Sequence, residues 1–169
     1  MNKHIIYLLL FAVLLLSAGC KINYSLNSGS IDPEIKTISI AYFPNNAVVV
    51  QPTLSQSFTE ALRDKFISQS KLTLVSRGGD LNIEGSITGY SIQPIAIQGN
   101  ETAALNRLTI TVNVKFTNKI NEQQNFDSSF SKYEDFESSQ ALSSVEETLI
   151  KQINTTLVED IFNKAVVNW

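Results

Sequence analysis

The chain has 169 residues, 43% of them hydrophobic and 17% charged, and a formal net charge of −3. That apolar content is enough for one packed domain and excludes wholesale disorder. The acidic balance excludes the basic face that a nucleic-acid binder needs, and it gives no general pull toward anionic membrane surfaces.

Lys3 and His4 precede an unbroken apolar run, Ile5–Leu16, which leads into Ser17-Ala18-Gly19-Cys20. Crossing a bilayer takes about 20 apolar residues, and this run is closer to the roughly 10–14 of a signal-peptide core. A positive start, a short apolar middle and small residues before a cut read as a removable leader over residues 1–19. Small residues running into a lone cysteine resemble the lipobox of bacterial lipoproteins, in which the cysteine becomes the first mature residue and carries acyl chains. Ser17 stands where that pattern usually has leucine. Cys20 is thus expected to be the lipid attachment point. Cleavage there removes His4, the single histidine, and acylation occupies the single cysteine. The remaining domain is expected to hold no metal through thiolate or imidazole. It also lacks the side chain most used as acid or base near neutral pH.

Residues 20–35 form a polar stretch rich in Ser, Asn and Gly, read as the lipidated N-terminus and a tether. A single domain is expected over 36–169. "KTISIAYF" (36–43) alternates with period two and predicts a strand, which Pro44-Asn45-Asn46 stops. "AVVVQP" (47–52) is an extended apolar link. Leu54, Phe58, Leu62 and Phe66 recur every four residues, with Ala61 and Ile67 beside them, and predict an amphipathic helix over 53–69. Thr53 with Gln56 fits a capping box at its start. "KLTLVS" (71–76) reads as a short strand and Arg77-Gly78-Gly79-Asp80 as a turn.

Residues 81–97 read as a strand with Leu81, Ile83 and Ile87 on one face. Gly85 and Gly89, in register between them, point to bending or close backbone approach. Residues 98–106 connect it to 107–120, where Leu108, Ile110, Val112, Val114 and Phe116 alternate with Thr109, Thr111, Asn113, Lys115 and Thr117. One face is core; the other is wet or touches a partner. After a turn at 121–124, residues 125–136 give a further strand with Phe126 and Phe130 in phase. Tyr133 and Phe136 break that phase, so a bulge or an early end is expected. Val145, Leu149, Ile153, Leu157 and Ile161 then repeat every four residues and predict the longest helix, 140–167, with Ser143 and Glu146 as a second capping box. Trp169 ends the chain, where packing on the sheet and lying at an interface both suit its ring. Together these elements predict an α+β fold: a two-layer sandwich with two helices on a mostly antiparallel sheet of four to five strands.

The lipobox cysteine, "TISIAYFPNNA", "PTLSQSFTEALRDKFISQSKLTLV", "GDLNIEGSITGYSIQP", "NRLTITVNVKFTN" and "DIFNKAVVNW" resemble, as an ordered set, the LptE family of lipopolysaccharide-assembly lipoproteins in its Bacteroidota form. The resemblance runs from Cys20 to Trp169 and includes no catalytic motif. It implies a lipid-anchored protein on the periplasmic side of the outer membrane. There it would plug the LptD-type β-barrel and help deliver lipopolysaccharide to the outer leaflet, with no cofactor. It also implies a two-helix, roughly four-stranded sandwich. The first strand, helix and short strand also resemble TolB-like and CsgG-like envelope proteins, which leaves a secretion or envelope-integrity adaptor as the alternative.

A lipopolysaccharide-binding subunit must present cations to phosphates. Arg107 and Lys115, eight residues apart and so on one strand face, are the candidate phosphate contact. Catalysis would have to use carboxylates. Asp80 and Glu84 lie roughly 13 Å apart along a strand, too far for glycosidase geometry without a bend. Glu134 and Asp135 point to opposite faces. No enzyme is expected.

Overall fold

A computed structural model describes residues 31–95 and 105–167. The leader, Cys20, most of the tether, part of the 98–106 connection and Trp169 lie outside the described residues. Five strands and two helices follow in the order β1 (Thr37–Ile40), α1 (Leu54–Gln69), β2 (Thr73–Val75), β3 (Leu81–Ile95), β4 (Leu105–Asn118), β5 (Phe126–Glu137) and α2 (Leu142–Phe162). The strands form one sheet in the order β2-β1-β3-β4-β5. β1 pairs in parallel with both β2 and β3, whereas β3–β4 and β4–β5 are long antiparallel pairings. The architecture is the expected α+β sandwich, with a mixed sheet that is parallel across β2–β1–β3 and antiparallel across β3–β4–β5.

The four-residue stripes pack as the spacing requires. Leu54, Phe58, Leu62 and Phe66 of α1 and Ile153, Leu157 and Ile161 of α2 are fully buried. They lie between the helices and the inner face of the sheet, where Leu108, Ile110, Val112, Val114 and Phe116 of β4 are equally buried. Burying such a side chain stabilises by about 1.5–3 kcal/mol relative to leaving it exposed. Phe43 meets Phe58, and Phe66 meets Phe162, edge-on with centroids 5.1 and 5.0 Å apart. Ile67 lies on the solvent side of α1, 47% exposed, not beside the stripe. The apolar link ends in a tip, Val48-Val49-Val50, that is exposed. It is framed by the Asn46 amide donating to the Ile87 carbonyl and by the Asn45 side chain donating to Gln51 O.

Three local expectations are corrected. Thr53 makes no side-chain cap bond; Gln51 Oε1 instead accepts from its amide at 2.7 Å and its hydroxyl at 3.0 Å. The N-cap of α2 is Ala141, also without a side-chain cap bond. Ser144 Oγ donates to the Ala141 carbonyl, and Glu146 is engaged by the Tyr90 hydroxyl instead. Lastly, β5 runs regularly to Glu137, with Phe136 buried and in phase with Phe126 and Phe130. The register shift lies in β3, between Ile87 and Gly89. It moves the inward positions from odd to even, so Tyr90 takes the place an odd residue would have held.

Candidate functional site

Both helices cover one face of the sheet. The other face of β3, β4 and β5 carries no described element, and its side chains follow from the register. Across the three strands the rows are Glu84–Lys115–Asp127, Ser86–Asn113–Ser129, Gly89–Thr111–Ser131, Ser91–Thr109–Tyr133 and Gln93–Arg107–Asp135. Hydroxyl and amide side chains fill the middle rows, and charges close both ends. Thr111 Oγ1 and Ser131 Oγ lie 2.9 Å apart. A face of this kind offers many adaptable donors and acceptors and little apolar area, so it suits a polar, hydrogen-bonding partner rather than a membrane interior.

Arg107 and Lys115 share this face, as their spacing implies, because β4 carries no bulge. They stand at opposite ends of it, roughly 27 Å apart along the strand, and do not converge on one point. Arg107 is locked: Nε donates to Asp135 Oδ1 at 2.8 Å and Nη2 to Oδ2 at 2.9 Å. Its guanidinium also stacks 3.5 Å from the centre of the Tyr133 ring. The paired carboxylate raises the Arg107 pKa above its ordinary value, and the guanidinium holds the Asp135 carboxyl below the usual range. Lys115 is looser, 3.1 Å from Glu84 Oε1, with both side chains about half exposed. Such a pair contributes at most about 1 kcal/mol. The arginine is a fixed, planar donor; the lysine is a mobile point charge. Tyr133, Asp135 and Glu84 join these cations only through cross-strand register. The spacing within β4 carries no sign of them.

The remaining carboxylate pairs are separated in role. One oxygen of Asp80, Oδ2, accepts from the Lys36 and Thr37 amides at 2.9 Å and from Thr37 Oγ1 at 2.8 Å, clipping the β2–β3 turn to β1. These donors, the Lys36 amide foremost, hold its carboxyl below the ordinary range. Glu84 is taken by Lys115. Glu134 and Asp135 lie on opposite faces of β5. Among the described residues no group of three or more His, Cys, Asp or Glu side chains is placed to hold a metal, and no helix is long and apolar enough to cross a membrane.

The family model for LptE, described as lipopolysaccharide-assembly, matches residues 35–165, well over half the chain. No curated protein matches the sequence. Among solved structures, a minor lipoprotein from Acinetobacter baumannii is similar at a TM-score of 0.52 and 11% identity, covering 78% of this chain and 92% of its own. A homolog of a neuraminyllactose-binding hemagglutinin from Helicobacter pylori is similar at 0.51 and 8% identity, covering 83% and 88%. Both likenesses are of fold.

Proposed function

Because the chain belongs to the LptE family of lipopolysaccharide-assembly lipoproteins, we propose that it is a non-enzymatic subunit of the outer-membrane translocon. In this reading Cys20 carries the lipid, the tether stands the domain off on the periplasmic side, and the domain seats in the lumen of an LptD-type β-barrel. The observation that carries the barrel reading is the uncovered Ser/Thr/Asn face of β3–β5. Barrel lumens are polar, and a plug must answer them with hydrogen-bonding side chains. Multiple acyl chains on Cys20 would hold the protein firmly, since each buried CH₂ contributes about 0.8 kcal/mol.

The test is purification of the tagged protein from its own membranes. The LptD-type barrel should co-purify, and Asn113→Trp, which plants a bulky ring mid-face, should reduce its recovery from a folded variant. No barrel with the wild type sinks the partnership; full recovery with Asn113→Trp sinks the face.

Arg107 and Lys115 are proposed as separate contacts for lipid A phosphates, given their separation. Lys115→Ala should weaken lipopolysaccharide binding more than Arg107→Ala, because the arginine is already held by Asp135. Unchanged affinity in the double variant overturns the assignment.

A further inference from the structure

We propose that the free edge of β5 is a strand-docking site, and that its occupant is an extended basic segment of a partner protein with alternating apolar and polar side chains. The inference needs only the fold and does not rest on the lipopolysaccharide reading. β5 ends the sheet and runs for 12 residues, against about 5–6 for an ordinary strand. Free edges are normally shortened, bulged, broken by proline or guarded by charges, and of these β5 has only charges, which bar a like-charged strand but not an oppositely charged one. β5 has no proline or glycine, and its register against β4 is continuous.

The outward backbone groups can be identified. The Lys119 amide donates to the Asp80 carbonyl at 3.0 Å, and the Ile83 and Ile87 backbones bond toward the β1 side. By the alternation of antiparallel pairs, odd residues of β4 therefore bond to β3 and even residues bond to β5. Asp127, Ser129, Ser131, Tyr133 and Asp135 thus direct their N–H and C=O groups away from the sheet. Among the described residues no backbone hydrogen bond reaches them. An added strand would satisfy these groups directly.

Room exists for the occupant's side chains. On the helix side of this edge lies a hollow of about 720 Å³ lined by Phe126, Phe130, Asp160 and Lys164 among others. The Phe126 and Phe130 rings give the hollow an apolar wall, with the Lys164 ammonium 4.7 Å from the Phe126 centroid and Gln123, Gln124 and Asn163 around its rim. Alternate residues of an added strand would point into this hollow and the others onto the polar face. Charge selects the partner. Of the β5 charges, Asp135 is held by Arg107 and Lys132 by Asp160, which leaves Asp127, Glu134 and Glu137 outside these pairs and the edge acidic. Two such edges repel one another, whereas a segment with Lys or Arg on its polar side is attracted.

The probe is a labelled nine-residue peptide alternating valine with lysine or threonine, titrated against the full chain in detergent by fluorescence anisotropy. Ser129→Pro removes one outward N–H and spares every bond to β4, the placement in which an edge proline is tolerated; Ser129→Ala keeps the N–H. Saturable binding is expected, weakened at least tenfold by Ser129→Pro and less than twofold by Ser129→Ala. Replacing the peptide's lysines with glutamates should abolish it. The double variant Asp127→Lys and Glu137→Lys leaves the backbone intact and should also weaken binding. Absence of saturable binding to the wild type, or undiminished binding to both the proline and the charge-reversed variants, overturns the proposal. So does a wild-type dimer in sedimentation that Ser129→Pro dissociates, because the occupant would then be a second copy.

Discussion

Replacing Gly85 with alanine should be among the costliest single-methyl additions in this protein. A Cβ there would lie 2.0 Å from the Asn113 carbonyl oxygen, 3.0 Å from its carbon and 2.7 Å from Phe43 Cε1. The Phe43 ring is fully buried and packed edge-on against Phe58, and the Asn113 carbonyl belongs to the β4 backbone, so neither yields cheaply. Overpacking a core costs about 1–3 kcal/mol, occasionally more, and the stiffer unfolded chain returns only about 0.4–1 kcal/mol. A backbone clash puts this site at the upper end, and less the unfolded-state gain the net loss is about 2–2.5 kcal/mol. Gly78→Ala is the control. Its φ of +74° disfavours a side chain, but nothing stands within 4 Å. The left-handed penalty of about 1–2 kcal/mol, less the same unfolded-state gain, leaves about 1 kcal/mol. Urea denaturation followed by far-UV circular dichroism reads both. A Gly85→Ala variant within 1 kcal/mol of wild type, or less destabilised than Gly78→Ala, would refute the packing argument.

Three further outcomes follow from single side chains. The depressed Asp80 carboxyl contributes stability above its unfolded value, and this is lost as pH falls through the folded one. Asp80→Asn should therefore be less stable than wild type at neutral pH and converge with it in acid; parallel stability curves down to pH 2 would contradict the clip. Burial and the Glu146 hydrogen bond push the Tyr90 pKa up. Its contribution is complete below the unfolded value of about 10 and fades as pH rises beyond it. Tyr90→Phe should narrow its gap to wild type in alkaline thermal melts, and a gap independent of pH would count against the buried phenol. Cys20→Ser should move the protein from the membrane to the soluble fraction, measured in the absence of the proposed barrel; continued retention would overturn lipidation at that position.

Periodicity carried most of the fold. The stripe of α1 and the alternation of β4 are visible because one face of each element is buried almost without exception. What escaped was set partly by a competing local acceptor and partly by contacts distant in sequence. The Thr53–Gln56 pattern allows a capping box, but Gln51 lies closer and takes the same donors. Glu146 could have closed a second box, yet the β3 register shift brings the Tyr90 hydroxyl to it. Phe136 lies ten residues from Phe126 and so shares its face; Tyr133 alone departs from that phase. It does so without a bulge, because its ring serves as the platform for Arg107 on the outer face. That platform, and the Asp135 partner, depend on the β4–β5 register. The parallel pairing of β1 with β3 has no local mark at all, since a strand's residues do not encode the direction of its neighbour.

The most direct test of the proposed role is to deplete the protein in cells and follow newly made lipopolysaccharide to the outer leaflet by surface labelling. The assembly-subunit account predicts that surface arrival falls, that lipopolysaccharide accumulates behind the barrel, and that re-expression of the wild-type chain restores transport. Undiminished arrival at the surface after complete depletion would contradict it.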